Sequence, residues 1–308
     1  MRNRWVLAIQ WLVGLAVVYF AGRSLLSNWD QLGAQPLSLR LQPGWFLLSL
    51  LTVWLMYALL IAAWRRMLIG WGHSLDWKTA ARIWTVSALG KYLPGKVWAV
   101  AGMAVMSQRA GVTPWAATSS AVVLQVLAIG TGAALAGLTG MGALETAHPG
   151  ARGALLLLVT GAVGCVGLLL WPPFLKRLLR LVTPGTTVND VPAAGGIVFG
   201  IGANLVAWSG YGLALWFLAQ SLVPEPILSL RLATAAFAAS YLVGFLALFA
   251  PGGIGVREGM FILMLKGPLG IGAATALAVG SRVLLTITEL GAAAPFLVHF
   301  KRNARVAP

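Results

Sequence analysis

Two stretches decide how this chain is read: LGKYLPGKVW, Leu89–Trp98, and FAPGGIGVREG, Phe249–Gly259. Each interrupts apolar sequence with a Pro-Gly pair and places charge beside it, Lys91 and Lys96 at the first, Arg257 and Glu258 at the second. Proline lacks an N–H donor and disfavours helix at the residue before it, and glycine lets the backbone turn. The first element covers residues 79–108, with only about 11 to 14 helix-compatible residues on each side of Pro94-Gly95; at ~1.5 Å per residue neither piece crosses a ~30 Å hydrocarbon core. It reads as helix, turn at depth and helix, a re-entrant hairpin. The second element, residues 249–266, has the same grammar. The apolar run LATAAFAASYLVGFLALFA, 232–250, meets Pro251-Gly252-Gly253, and the short piece IGVREGMFILML, 254–265, follows. Whether this element crosses the membrane or turns back stays open in the sequence.

Composition supplies the setting. Of 308 residues, 59% are hydrophobic and 9% charged, against roughly 25% charged in soluble domains. Too little polar surface exists to cover a soluble fold, so the expectation is an all-α polytopic membrane protein forming one integral domain, 1–308. The net charge of +15 comes from residues scattered between apolar runs, which argues against a nucleic-acid patch and for loops on the cytoplasmic side. The single cysteine, Cys165, has no disulfide or metal partner and reads as a small packing residue.

Seven candidate spans stand out: 5–22, 45–64, 115–138, 153–171, 196–218, 232–248 and 271–298. The N-terminal one resembles a signal peptide, but its apolar stretch is longer than the usual 7–15 residues and it reads as a retained helix. Trp45 and Trp64 bracket the second span, and Trp115 and Trp171 mark others, as interfacial anchors would. With the N-terminus inside, the inner loops collect Arg2, Arg4, Arg65, Arg66, Lys78, Arg82, Arg109, Lys176, Arg177 and Arg180, and the outer ones Arg23, Arg40 and Arg152. The basic tail belongs inside too. Both termini in the cytoplasm require an even number of crossings, so a count of seven needs either a crossing from an interrupted segment or a revision by one. The expectation is therefore seven to eight transmembrane helices.

Irregular backbone at membrane depth survives only where protein or a watery cavity satisfies it. Broken helices in matching positions of two halves, the pattern of an internal inverted repeat, point to a transporter site. Helix N-termini following such breaks suit an anion, and Lys91, Lys96 and Arg257 add cations, a combination that fits phosphate. Against this, Pro-Gly pairs are ordinary turns and lysines snorkel to interfaces; charges costing about 2.5–3.5 kcal/mol at the bilayer centre favour function. Glu258 reads as orienting Arg257 or meeting a cationic headgroup. Arg282 and Glu289, seven apart, share a helix face and are free to pair with each other, with Arg257 and Glu258, or to line one cavity. Gln125 and Asn204 read as interhelical hydrogen bonders. His73, His148 and His299 lack partner spacing, so no metal site is expected, and no catalytic motif or nucleotide loop predicts an enzyme or a cofactor.

At these two motifs the chain resembles the membrane region of lysylphosphatidylglycerol synthetases, the flippase part of the multiple peptide resistance factor, which also occurs as stand-alone membrane proteins. LGKYLPGKVW followed by SQRAGV, and APGGIGVREG followed by an arginine-bearing last helix, carry the resemblance over about residues 5 to 300. It implies a bacterial inner-membrane protein that moves a phospholipid or lipid-linked headgroup between leaflets. By motif it implies binding roles for Lys91, Tyr92, Lys96, Arg109, Arg257 and Glu258, and break or hinge roles for Pro94, Gly95, Pro251, Gly252, Gly253, Gly255 and Gly259. Arg282 and Glu289 join the substrate-binding candidates from the residue reading. The short tail leaves no transferase domain to attach an amino acid, so lysyl transfer is not carried over. Two other readings stay beside the flippase: a non-translocating subunit presenting membrane lipid to a separate glycosyl- or aminoacyltransferase, and a small-solute transporter.

Overall fold

The computed structural model describes residues 40–92, 98–147, 150–182, 194–247, 250 and 253–304. The expected first span, 5–22, and Pro94, Gly95, Lys96, Pro251 and Gly252 of the two breaks lie outside them, as do the side chains of His148 and His299. All regular structure among the described residues is helical: α1 (Pro43–Ile69), α2 (Trp77–Ala88), a 3-10 turn (Leu89–Tyr92), α3 (Trp98–Arg109), α4 (Pro114–Ala147), α5 (Ala151–Leu168), α6 (Pro172–Val182), α7 (Ala194–Leu222), α8 (Leu230–Leu246) and α9 (Val256–Ala304). By length and hydropathy α1, α4, α7 and α9 can each cross a membrane, and α5 with α6, bent by 89°, makes a fifth candidate.

Helix starts follow local chemistry. Proline, whose missing N–H costs nothing at a first turn, opens α1, α4 and α6. Asp76 caps α2 by accepting from the Thr79 N–H at 2.9 Å, and Ser229 caps α8 through the Leu232 N–H at 3.2 Å. Within α9, Pro268 is followed by Gly270 at φ 78° and ψ 162°, conformations open to glycine alone, so the helix is two arms joined at a kink.

Alignment of the helices follows from a few contacts. Gly196 lies against Met67, where an added Cβ would stand 3.5 Å from the Met67 Cα, while the Ser221 hydroxyl donates to the Gln42 carbonyl at 3.0 Å; α1 and α7 are therefore antiparallel. One end of the bundle carries Arg65, Arg66, Lys78, Arg82 and Arg109. The amphipathic α6 lies at that end, with Leu175 and Leu179 buried in the same cluster as Trp71, Leu75 and Val112, and with Arg177 and Arg180 exposed. At the opposite end are Gln42, Leu222 and the start of α8.

Two elements do not run end to end. Helices α2 and α3 have 12 residues each. They form a hairpin closed so tightly that a Cβ on Gly90 would meet the Ala99 nitrogen at 2.7 Å. His73, just before α2, contacts the Thr113 hydroxyl, just after α3, at 3.0 Å, so the hairpin starts and finishes at the basic end. Helix α8 leads from the other end into the second break, and the first arm of α9 comes back along it: Gly244 lies against Arg257, and the Phe237 and Phe261 rings are 6.2 Å apart. The segment 232–248, expected as a span, is thus one limb of a second hairpin.

Two tryptophan and cysteine expectations are corrected. Trp64 is fully buried and donates to the Ser120 hydroxyl at 3.1 Å; it is a core residue, because α4 covers the face of α1 on which it sits. Trp171, by contrast, is 58% exposed. Cys165 is exposed, beside a shallow apolar groove between α4 and α5, because among the described residues α5 packs chiefly on α4.

Candidate functional site

Residues flanking the two breaks line one cavity of about 280 Å³ at the junction of two buried apolar clusters. Lys91 reaches it from the first hairpin, Gly253 and Arg257 from the second, and Glu289 from the second arm of α9. Aromatic rings of Trp84, Trp208, Tyr211, Phe237 and Tyr241 line the wall, and Gln125 and Asn204 add amides.

Glu289 is the hub. Its carboxylate pairs with the Lys91 ammonium and accepts from the hydroxyls of Tyr92 at 2.8 Å and Tyr57 at 3.3 Å. Tyr92 also contacts the Thr286 hydroxyl at 3.4 Å. These contacts tie the turn of the first hairpin to α1 and α9. Glu289 is 6% exposed, so the pair works in a low dielectric, where charge-assisted hydrogen bonds gain strength.

Arg257 is placed differently. It is 7% exposed and donates to the Ser281 hydroxyl at 3.0 Å. Three rings surround its guanidinium, Phe237, Phe261 and Tyr241, with centroids 5.3, 5.5 and 5.7 Å away. No carboxylate among the described residues forms an ion pair with it. Aromatic faces offset part of the cost of burying a cation but leave its fork of donors mostly unused.

The backbone of the second break sets this position. Gly253, at φ 70°, lies against Gly244 so closely that a Cβ would stand 2.9 Å from the Gly244 Cα and carbonyl oxygen. Glu258, in the first turn of α9, accepts from the Gly255 N–H at 2.7 Å and pairs with Arg282 Nε at 2.5 Å. Glu258 therefore locks the helix start, and the expected bond to Arg257 is not the one it makes: neighbours on a helix point about 100° apart, so it reaches Arg282 on the other arm. Arg282 and Glu289 do not pair with one another, each having a nearer partner. Gly259 is not a break residue; it lies inside α9 with nothing near it. Arg109 is exposed at the end of α3, away from the residues that line the cavity.

Asn204 was expected to bridge helices; its amide donates to the Gly200 carbonyl of its own helix at 2.8 Å, and the residue lines the cavity. Gln125, expected to do likewise, lines the same cavity. Tyr57, Tyr211 and Tyr241 are additions that motif reading passed over. Their signal was position: with Tyr92, four of the chain's five tyrosines meet here, and the three lie within apolar spans rather than at the ends where tyrosines usually anchor. Among the described residues no three His, Cys, Asp or Glu side chains come together to hold a metal ion.

The family model for the lysylphosphatidylglycerol synthase TM region matches residues 7–287. A comparison with curated proteins gave no match.

Proposed function

The chain belongs to the lysylphosphatidylglycerol synthase TM family, and from that premise we propose that it moves a phospholipid or lipid-linked headgroup between the leaflets of a bacterial inner membrane. The observation that carries this reading is Arg257: a buried guanidinium, inside a cavity, with one neutral acceptor and, among the described residues, no carboxylate partner. An uncompensated buried charge is costly, and a phosphate presents the paired oxygens that a guanidinium fork matches. The cavity's 280 Å³ corresponds to about nine waters at ~30 Å³ each. That accommodates a headgroup, while acyl chains stay in the lipid against the exposed leucines of α1 and α5.

The same reading assigns the topology. Two re-entrant hairpins enter from opposite ends and meet at the cavity, the arrangement of an inverted repeat. Removing 232–248 from the seven spans read in the sequence leaves six, with α1, α4, α5, α7 and the second arm of α9 as the described ones. Six is even, which puts both termini in the cytoplasm with the basic end and α6.

The test is a leaflet assay in liposomes with a labelled anionic phospholipid. The parent protein is expected to exchange the lipid, and Arg257→Ala to slow exchange at least tenfold, the loss of one charge-assisted contact of about 1.5–3 kcal/mol. Exchange by Arg257→Ala at the parent's rate overturns the assignment. Lipid binding without exchange would instead support presentation of lipid to a separate glycosyl- or aminoacyltransferase, and lipid-independent uptake of polar solute would support a solute transporter.

A further inference from the structure

The cavity draws no lining residue from α6, whose sequence PPFLKRLLRLV puts three cations and no acid into 11 residues. At ~3.6 residues per turn its side chains sort into three arcs. Leu175 and Leu179 form the first and are buried against the bundle. Lys176, Arg180 and Arg177 fall within about 100° of one another and form the second, with both arginines exposed. Among the described residues none of the three cations forms an ion pair. The third arc lies between these two and holds Leu181, 76% exposed, with Phe174 and Leu178 half-buried.

The bend before α6 sets its attitude. The 18 residues of α5 extend about 27 Å at ~1.5 Å per residue, close to a ~30 Å hydrocarbon core without help from α6. The 89° turn then lays α6 nearly parallel to the membrane surface, at the end of the bundle that carries Arg65, Arg66, Lys78, Arg82 and Arg109. A face turned wholly to water would leave Trp171 and Leu181, exposed at the two ends of α6, in water as well. In the interface both are accommodated: the apolar arc meets acyl chains and the basic arc meets headgroups.

We propose that α6 is a docking surface for anionic phospholipid, separate from the cavity, on which Lys176, Arg177 and Arg180 hold phosphate groups while Leu181 and Phe174 contact the acyl chains. Phosphatidylcholine has no net charge, so the surface discriminates against it; one basic residue near a membrane surface is worth about fivefold in the binding of a negative lipid. Leu75 and Val112, in the same buried cluster as Leu175 and Leu179, flank the first hairpin. Lipid gathered on α6 therefore stands beside the element that carries Lys91, whether or not it is then moved.

The experiment uses the full chain in phosphatidylcholine nanodiscs, with Cys165→Ser as background and a bimane on Leu181→Cys. Phosphatidylglycerol or phosphatidylcholine with brominated acyl chains is added at equal mole fraction, and quenching is read. Both lipids are expected to quench, phosphatidylglycerol at least fivefold more effectively. That preference should vanish in Lys176→Gln/Arg177→Gln/Arg180→Gln and shrink at about 1 M salt, where charges are screened beyond ~3 Å. A bimane on Leu157→Cys, 77% exposed on α5, should show no preference. Equal quenching by the two lipids at position 181 overturns the anionic selectivity. Quenching by aqueous iodide and by neither lipid overturns the lipid contact and points to a solvated face, open to an acidic protein. A preference that survives the triple variant overturns the basic arc, and one lost in Arg257→Ala would place the lipid in the cavity instead. Leaflet exchange unaffected by Arg257→Ala, with the preference at position 181 intact, defeats the cavity reading and leaves this surface standing.

Discussion

Gly253 offers the sharpest test of the second break, because its surroundings fix both sign and size. Its φ of 70° is strained for any residue with a Cβ, about 1–2 kcal/mol. An alanine methyl would also lie 2.9 Å from the Gly244 Cα and its carbonyl oxygen, where carbon contacts prefer about 3.5–4.0 Å. These are backbone atoms of a packed helix and cannot rotate away, so the limbs must separate, an overpacking cost of about 1–3 kcal/mol. Gly253→Ala should therefore lose about 2–5 kcal/mol. At roughly 2–4 °C per kcal/mol that is a fall on the order of 4–20 °C in the melting temperature of the purified protein. Gly259 is the internal control. It sits in the helix with no atom within 4 Å of an added Cβ, so Gly259→Ala should hold or raise the melting temperature, by about 0.5–1 kcal/mol. Opposite signs at two glycines of one motif are expected. A Gly253→Ala protein that melts at or above the parent would refute the close approach of α8 to the break.

Other consequences can be measured in the same preparations. Lys91→Met alone leaves Glu289 buried without a cation and should cost about 3–5 kcal/mol, whereas Lys91→Met with Glu289→Leu should recover most of it; equal losses in the single and double variants would contradict the pairing. Trp64→Ala should cost about 3–5 kcal/mol as a core truncation, and Trp171→Ala within about 0.5 kcal/mol, the reverse of what anchors of equal rank would give. With Cys165→Ser as background, cysteines replacing His73 and Thr113 should join through a short bifunctional maleimide, and both should label from the side that labels position 180. Labelling from opposite sides would show that the first hairpin crosses.

Much of this architecture was legible because proline, glycine and charge are rare inside apolar sequence. The pieces flanking Pro94-Gly95 were short enough to require a hairpin, and α2 and α3 have the 12 residues each that this needs. The second element was harder to read. Helix α8 is apolar over most of a bilayer's thickness, and hydropathy cannot say whether a helix goes on or is answered by an antiparallel arm; the Gly244–Gly253 approach decides that. Tryptophans misled for a related reason. Trp45 and Trp64 look alike as brackets of one span, but only the packing of α4 on α1 buries one of them. The charged cluster was legible as a set and illegible as pairs. Arg257 next to Glu258, and Arg282 a helix face from Glu289, invite local pairing, yet each carboxylate reaches a cation distant in sequence or on the other arm of α9.

That unequal pairing leads to a last prediction. The chain has only seven acidic residues, and the cavity region uses Glu258 and Glu289 to hold Arg282 and Lys91. Among the described residues Arg257 is left with the Ser281 hydroxyl at 3.0 Å. If the missing counter-ion is reserved for a ligand, supplying it from the protein should compete with that ligand. Ser281→Asp puts a carboxylate where the hydroxyl now stands, within reach of the guanidinium. Two effects should then part company: the fold should melt no lower than the parent, because a buried charge gains a partner, while binding of a phosphodiester lipid should weaken at least tenfold, because the fork is occupied. A merely structural arginine would show the first effect without the second. Undiminished anion binding by a well-folded Ser281→Asp protein would mean that phosphate seats elsewhere, and that the aromatic box around Arg257 serves packing alone.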